Sequence, residues 1–221
     1  MTVTLEIYMP CNCCEITDNA FSEAEARSEM RTYRRQGPMK QTKLILEAIR
    51  SLGLKSAHLL DIGGGIGAIH HELLKDVARE ATHVDASSAY LKEAKGEAAR
   101  RGHNERVHFI HADFTDVANG LPQADIVTLD RVVCCYPDFR RLLKAAAEHS
   151  KRALALTYPR ETWYMRIGLQ VMNFLQKLRR DPFRVYLHPI HDMDALLKKE
   201  GFKRVALRRL FVWEMTLYQR M

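Results

Sequence analysis

Apolar and polar positions along this chain switch repeatedly between two periods. Between Gln41 and Leu52, the residues Leu44, Ile45, Ala48, Ile49 and Leu52 recur at helical intervals, and Gly53 stops the pattern. The run from Ala57 to Ile62 then reads as a strand. The alternation continues with a helix Ala68 to Ala78, a strand Ala81 to Val84, a helix Ser88 to Arg101 and a strand Val107 to His111. A strand Ala124 to Leu129, a helix near Asp138 to Ser150 and a fifth strand Arg152 to Tyr158 follow. Such alternation specifies an α/β fold, a doubly wound parallel sheet with right-handed crossovers. Near the end, Lys203 to Leu210 and Phe211 to Tyr218 are strand-like runs with almost no space between them. There is no internal repeat and no low-complexity linker.

The first strand feeds directly into Asp61-Ile62-Gly63-Gly64-Gly65-Ile66-Gly67, with a helical pattern from Ala68. Glycines at alternate positions let the backbone turn with positive φ and let a ligand approach main-chain atoms, while the helix start offers unpaired N–H groups. A small polar ligand is expected there. A dinucleotide fingerprint G-x-G-x-x-G counted from Gly63 places its third glycine on Ala68, and counted from Gly65 on His70, so NAD is not favoured. Acids end the following strands: Asp85 after the second, Asp113 in His111-Ala112-Asp113-Phe114 after the third, and Asp130-Arg131 after the fourth. Each alone could be a helix cap. Together they lie along the carboxyl edge, where open α/β sheets bind ligands.

An acid before G-x-G-x-G, with a second acid closing the next strand, resembles the S-adenosylmethionine site of class I methyltransferases. The likeness runs from about Lys40 to the C-terminus. It implies a Rossmann-like, seven-stranded, mostly parallel sheet closed by an antiparallel hairpin whose last strand inserts beside the fifth. It also implies roles. Gly63, Gly65 and Gly67 would pass the methionine and ribose portions, Asp61 would hold the ammonium group, and Asp85 would accept from both ribose hydroxyls. Asp113 would accept from the adenine amino group with Phe114 near the ring, and Asp130 and Arg131 would face the methionine end and the acceptor. The Asn/Asp-Pro-Pro-Tyr/Phe motif of enzymes acting on base or amide nitrogens is replaced here by Arg131-Val132-Val133-Cys134-Cys135-Tyr136-Pro137. That segment, with a long apolar insertion, is similar to the magnesium-protoporphyrin O-methyltransferase group.

Two regions fall outside that plan, an N-terminal cap segment at 1–39 preceding the methyltransferase domain at 40–221, and a helical insertion at about 160–182. Between Thr162 and Leu178, Trp163, Tyr164, Ile167, Val171, Phe174, Leu175 and Leu178 form one stripe that Met165, Leu169 and Met172 widen to about 240° at ~100° per residue. An arc this wide suggests a helix sandwiched between core and cap. The alternatives are a wall of an apolar acceptor pocket, a homodimer face, or a peripheral membrane contact.

Composition narrows the partners. The chain of 221 residues suits one well-buried domain, and its net charge of +7 suits an anionic partner. No run reaches the ~20 apolar residues of a spanning helix, and the first residues lack a signal pattern, so a cytoplasmic protein is expected. Five cysteines, an odd count, suit reduced thiols. Cys11, Cys13 and Cys14, joined by Cys134 or Cys135, could ligate a soft metal or metalloid acceptor, though no metal site is assigned because zinc spacing is missing. If the acceptor must lose a proton, Tyr136, His188 and His191 are the candidate bases. The expected activity is S-adenosylmethionine-dependent methylation of a small apolar or anionic molecule. A non-catalytic cofactor- or RNA-binding module is the competing class, disfavoured because lysines and arginines are spread along the chain without interleaved aromatics.

Overall fold

The computed structural model describes residues 13–221. Three helices come first: α1 (Cys13–Ala20), α2 (Glu23–Gln36) and α3 (Lys40–Arg50). The alternating core follows as β1 (Ala57–Ile62), α4 (Ala68–Leu73), β2 (Ala78–Asp85), α5 (Ser88–Arg101), β3 (Val107–His111), α6 (Phe114–Val117), β4 (Ala124–Asp130), α7 (Phe139–His149) and β5 (Ser150–Pro159). The chain ends with α8 (Trp163–Leu178), α9 (Ile190–Lys199), β6 (Phe202–Arg209) and β7 (Trp213–Arg220). Cys11 of the cysteine cluster lies outside the described residues, as do the side chains of Cys13 and Cys14.

The strands form one seven-stranded sheet in the order β3-β2-β1-β4-β5-β7-β6. β1 to β5 pair in parallel, whereas β7 runs antiparallel between β5 and β6. The closing strand therefore sits beside the fifth, as the resemblance implied. Side chains alternate across the sheet with period two. Leu60 and Ile62, Val127 and Leu129, and Leu154 and Leu156 pack under α7 and α9 on one face. Ala57 and Leu59, Ile126, and Ala153 and Ala155 pack under α3 and α4 on the other. Each fully buried leucine or isoleucine stabilises this arrangement by roughly 1.5–3 kcal/mol relative to exposure.

Several boundaries differ from the sequence pattern for physical reasons. The helix expected to reach Ala78 ends at Leu73, because Ala78 is already in β2, paired with Ala57 across the sheet. β2 therefore starts earlier than Ala81. The two strand-like runs near the end part around a turn in which the Leu210 N–H donates to the Trp213 carbonyl. α9 was not anticipated, although Met193 and Leu197 at four-residue spacing are both buried under it. The largest difference is α8. It is not sandwiched: none of its residues is buried, and Trp163, Ile167, Val171, Phe174, Leu175 and Leu178 are exposed.

α2 fixes the approach to the site. A capping box, Ser22 with Glu25, starts the helix, and its Met30 and Tyr33 bury against Ile66 in the glycine turn. Tyr33 also donates to Glu72 of α4 at 2.8 Å. Behind it, Glu97 of α5 is completely buried and accepts from Arg34, Arg100 and Arg101, whose charges hold its carboxyl low despite burial.

Candidate active site

The glycines after β1 have distinct reasons for being glycine. Gly63, Gly65 and Gly67 all adopt left-handed φ values of 59°, 56° and 81°. A Cβ on Gly63 would lie 2.4 Å from Val132 Cγ2, and one on Gly67 would lie 2.4 Å from the His70 ring. Those two positions are closed by the protein itself. At Gly65 the nearest atom is Tyr90 Cδ1 at 3.5 Å, so this residue faces the cleft rather than a wall. His83 fills the space behind Gly64. The turn is thus packed from behind by two histidines that nothing in the sequence pattern marked.

Carboxylates at the strand ends converge on this turn. Asp85 accepts from the Gly65 N–H and the Ser87 N–H, both at 2.7 Å, which locks the first two strand-end loops together. Ser87, not Asp85, caps α5. Asp61 accepts from Thr128 at 2.7 Å, and Asp130 accepts from Thr42 at 2.5 Å and from Thr157. Burial pushes the Asp61 and Asp130 carboxyls up, and raises Asp85 to about 6. Two buried carboxylates, Asp61 and Asp85, with the half-buried Asp130 beside them, make an electronegative floor at one sheet edge. Arg131, in a left-handed conformation with φ 65°, pairs with Glu29 of α2 at 2.8 Å, and Tyr90 donates to the same carboxylate. That bridge crosses the cleft. Its members are far apart in sequence, and no spacing signal could have joined them.

Beyond the turn the cleft opens into a cavity of about 570 Å³. Its polar end holds Gly63, Gly65, Asp85, Asp113, Asp130 and Arg131; its apolar end holds Met165, Leu169 and Met172 of α8 with Phe183 and Val185 of the following segment. Asn173 pins that segment to α8 by exchanging two hydrogen bonds with Val185. A narrower recess of about 40 Å³ runs behind the turn to Asp61, Thr42 and Tyr33.

The family model described as Methyltransferase domain matches residues 59–153, which span β1 to β5 with the glycine turn and the three strand-end acids. The match covers less than half of the chain. No curated protein sequence matches the chain. Among solved structures, the magnesium protoporphyrin IX methyltransferase of Synechocystis PCC 6803 is similar in two forms. With bound SAH it superposes at TM-score 0.73 and 18% identity over 95% of this chain and 100% of that one. With bound SAM the values are 0.71 and 16% over 97% and 100%. A putative sarcosine dimethylglycine methyltransferase from Galdieria sulphuraria superposes at 0.66 and 12% identity, covering 84% of this chain and 87% of that one. At these identities the likeness is one of fold.

The remaining candidates fall in different places. Asp113 caps α6 through the Thr115 N–H at 2.8 Å and accepts from the Tyr136 hydroxyl at 3.0 Å; Phe114 is buried at the cavity wall. Tyr136 lines the cavity, but burial pushes its phenol up and the neighbouring Asp113 charge adds to that. His188 sits outside the lining, held through Nε2 to the Tyr136 carbonyl at 2.9 Å, and burial lowers its basicity. His191 is exposed beside Asp192. Cys134 and Cys135 both line the cavity with their Sγ atoms 3.9 Å apart, and the Cys134 hydrogen bond holds the Cys135 thiol down. Asp61, His70 and His83 bring ligand atoms within 4.8 Å of one another, all buried. Burial keeps both imidazoles neutral, pushed down to about 3. His70 Nδ1 lies 3.4 Å from Asp61 and 3.2 Å from His83 Nδ1, a chain of contacts that braces the glycine turn.

Proposed function

We propose that this chain transfers the methyl group of S-adenosylmethionine to a small apolar acceptor that arrives already ionised. The array of buried carboxylates carries the reading. Asp61 and Asp85 are withdrawn from water at one edge with the half-buried Asp130 beside them, and Arg131 is engaged by Glu29. A ligand bearing ammonium and sulfonium charges would relieve that cost, and a ribose diol would use the lone pairs Asp85 does not spend on Gly65 and Ser87. The residues present therefore fit this donor. Asp61 would hold the ammonium, Gly63 and Gly65 the methionine and ribose stretch with Gly67 shaping the turn behind them, Asp85 the ribose hydroxyls, Asp113 and Phe114 the adenine, and Asp130 with Arg131 the methionine end.

When bound, the sulfonium supplies an activated methyl group with a good leaving group. What remains for the protein is alignment and exclusion of water, which supply much of the rate in such displacements. Tyr136 spends its hydroxyl proton on Asp113, and His188 is tied to a backbone carbonyl, so both serve better as positioning groups than as bases. An acceptor carboxylate needs no base. Arg184 beside the apolar wall suits a carboxylate on an apolar body, which favours a carboxyl O-methyltransferase of the magnesium-protoporphyrin type. The paired thiols of Cys134 and Cys135 in the cavity support one other acceptor class, a soft metalloid such as arsenite.

Calorimetric titration with S-adenosylhomocysteine tests the donor. Saturable one-to-one binding is expected, and its absence overturns the reading. Incubation with labelled S-adenosylmethionine and either apolar carboxylic acids or arsenite then separates the acceptor classes. Label in a base-labile ester supports the carboxylate, and label on arsenic lost in Cys135→Ser supports the thiol route.

A further inference from the structure

We propose that the outer face of α8, together with Phe211, lies in the surface of an anionic lipid bilayer. Projected at about 100° per residue, Trp163, Phe174, Ile167, Leu178, Val171 and Leu175 occupy one continuous arc of about 120°. That arc is open to solvent: Trp163 is 74% exposed, Phe174 62% and Leu178 65%. Phe211, 76% exposed at the β6–β7 turn, is stacked on Tyr164 and extends the same apolar surface. Contiguous apolar patches of this kind mark interaction sites.

Charge selects the occupant. Residues 160–184 carry six arginines and lysines against two acids. Of the acids, Glu161 is paired with Arg166, and Asp181 accepts from the Phe183 N–H. Arg166 and Lys177 flank one side of the apolar arc, and Arg179 and Arg180 follow its end. An apolar face rimmed by cations is the pattern of a helix lying in a headgroup layer rich in anionic lipid. A second copy of the chain docked by a two-fold axis would bring these cations against themselves. Crossing the bilayer is not what the helix is built for, since none among the described residues is long and apolar enough.

The side of α8 roughly opposite the arc carries Met165, Leu169 and Met172, which line the cavity. The helix is thus one wall between the bilayer surface and the cavity, and an apolar acid dissolved in the membrane would have only that wall to pass on its way to the methyl donor. That delivery step rests on the methyl-transfer reading; the docking does not.

The test is co-sedimentation of the full chain with vesicles of phosphatidylcholine alone and of phosphatidylcholine with phosphatidylserine. We expect binding to the anionic vesicles to exceed that to the neutral ones by roughly tenfold or more and to weaken with salt. An Ile167→Asp, Phe174→Asp double variant should lose vesicle binding while keeping its Tm and its affinity for S-adenosylhomocysteine. No binding to anionic vesicles overturns the proposal, as does equal binding by the double variant. A concentration-dependent dimer that the same variant abolishes, without vesicle binding, assigns the face to a second copy and also overturns it. Measuring S-adenosylhomocysteine affinity in the same samples separates the two readings: a chain that binds this ligand but no vesicle refutes the docking alone.

Discussion

The turn after β1 and the helix after β5 face the same cavity and are built by opposite rules. In the turn each glycine is held by a neighbouring group of the protein. Val132 closes Gly63, His83 closes Gly64, His70 closes Gly67, and Asp85 ties the backbone of Gly65 to the next loop. In α8 nothing is buried, and its neighbours hold it through a few contacts such as the Tyr164 hydroxyl donating to the Phe211 carbonyl at 2.8 Å. A donor common to many enzymes suits a rigid, polar cradle, whereas an acceptor particular to one enzyme suits an adaptable apolar wall in which methionines can re-pack.

The contrast is most easily broken at Gly67. Gly67→Ala forces a Cβ into the His70 ring at a left-handed backbone position, and should cost about 2–4 kcal/mol of stability, read as a fall in Tm. An equally placed change in an open position should do nothing of the kind. Gly96 in α5 has no neighbour within 4 Å, so Gly96→Ala should stabilise by about 0.5–1 kcal/mol, and a loss there would mean that packing is not what distinguishes the turn.

The next effect is on the donor. Asp85→Ala removes the carboxylate proposed to accept from the ribose hydroxyls and should weaken S-adenosylhomocysteine binding about ten- to hundredfold, or ~1–3 kcal/mol, in calorimetry. Unchanged affinity would reduce Asp85 to a brace for the Gly65 and Ser87 loops. At the other end, Met165→Ser with Leu169→Ser should raise the KM for the acceptor about tenfold, from the lost apolar contact, while leaving donor affinity nearly intact. Equal losses would make α8 a structural element for both ends.

The smallest effect is that of pH. The Asp85 carboxyl is raised to about 6, so it takes a proton as the pH falls through that value and stops accepting from a diol. Donor affinity should therefore decline as pH drops through about 6, and an Asp85→Asn variant should show a flat profile. The stability contribution has the opposite sign, because a raised folded-state value favours the protonated native form. It is present below the ordinary aspartate range and is lost as pH rises through about 6.

How much was legible follows from how local each signal is. The glycine turn, the strand-end acids and the order of strands are written in adjacent residues, since a parallel strand leaving the core must turn and present its carboxyl end within a few positions. Asp61, Asp85, Asp113, Asp130 and Arg131 could be placed at one edge for that reason, and they converge there. Helical phase set Met165, Leu169 and Met172 beside the main apolar stripe, but only the structure showed that they face the cavity. The exposure of the opposite stripe was not legible either: periodicity says that an apolar face wants a partner, but not whether the chain supplies one, and here the described residues leave it open.

By itself, the sequence determined the layers, the crossovers and the positions at which a donor could approach the backbone, because these depend on side-chain period and on residues that tolerate positive φ. Tertiary structure alone decided which glycine faces the open cleft and which face a histidine, that Glu29 of α2 engages Arg131 across the cleft, and that Tyr136 and His188 are bound to other groups. Those are contacts between residues dozens of positions apart. Their partners are chosen by how the helices pack on the sheet, and no local pattern in the chain carries that information.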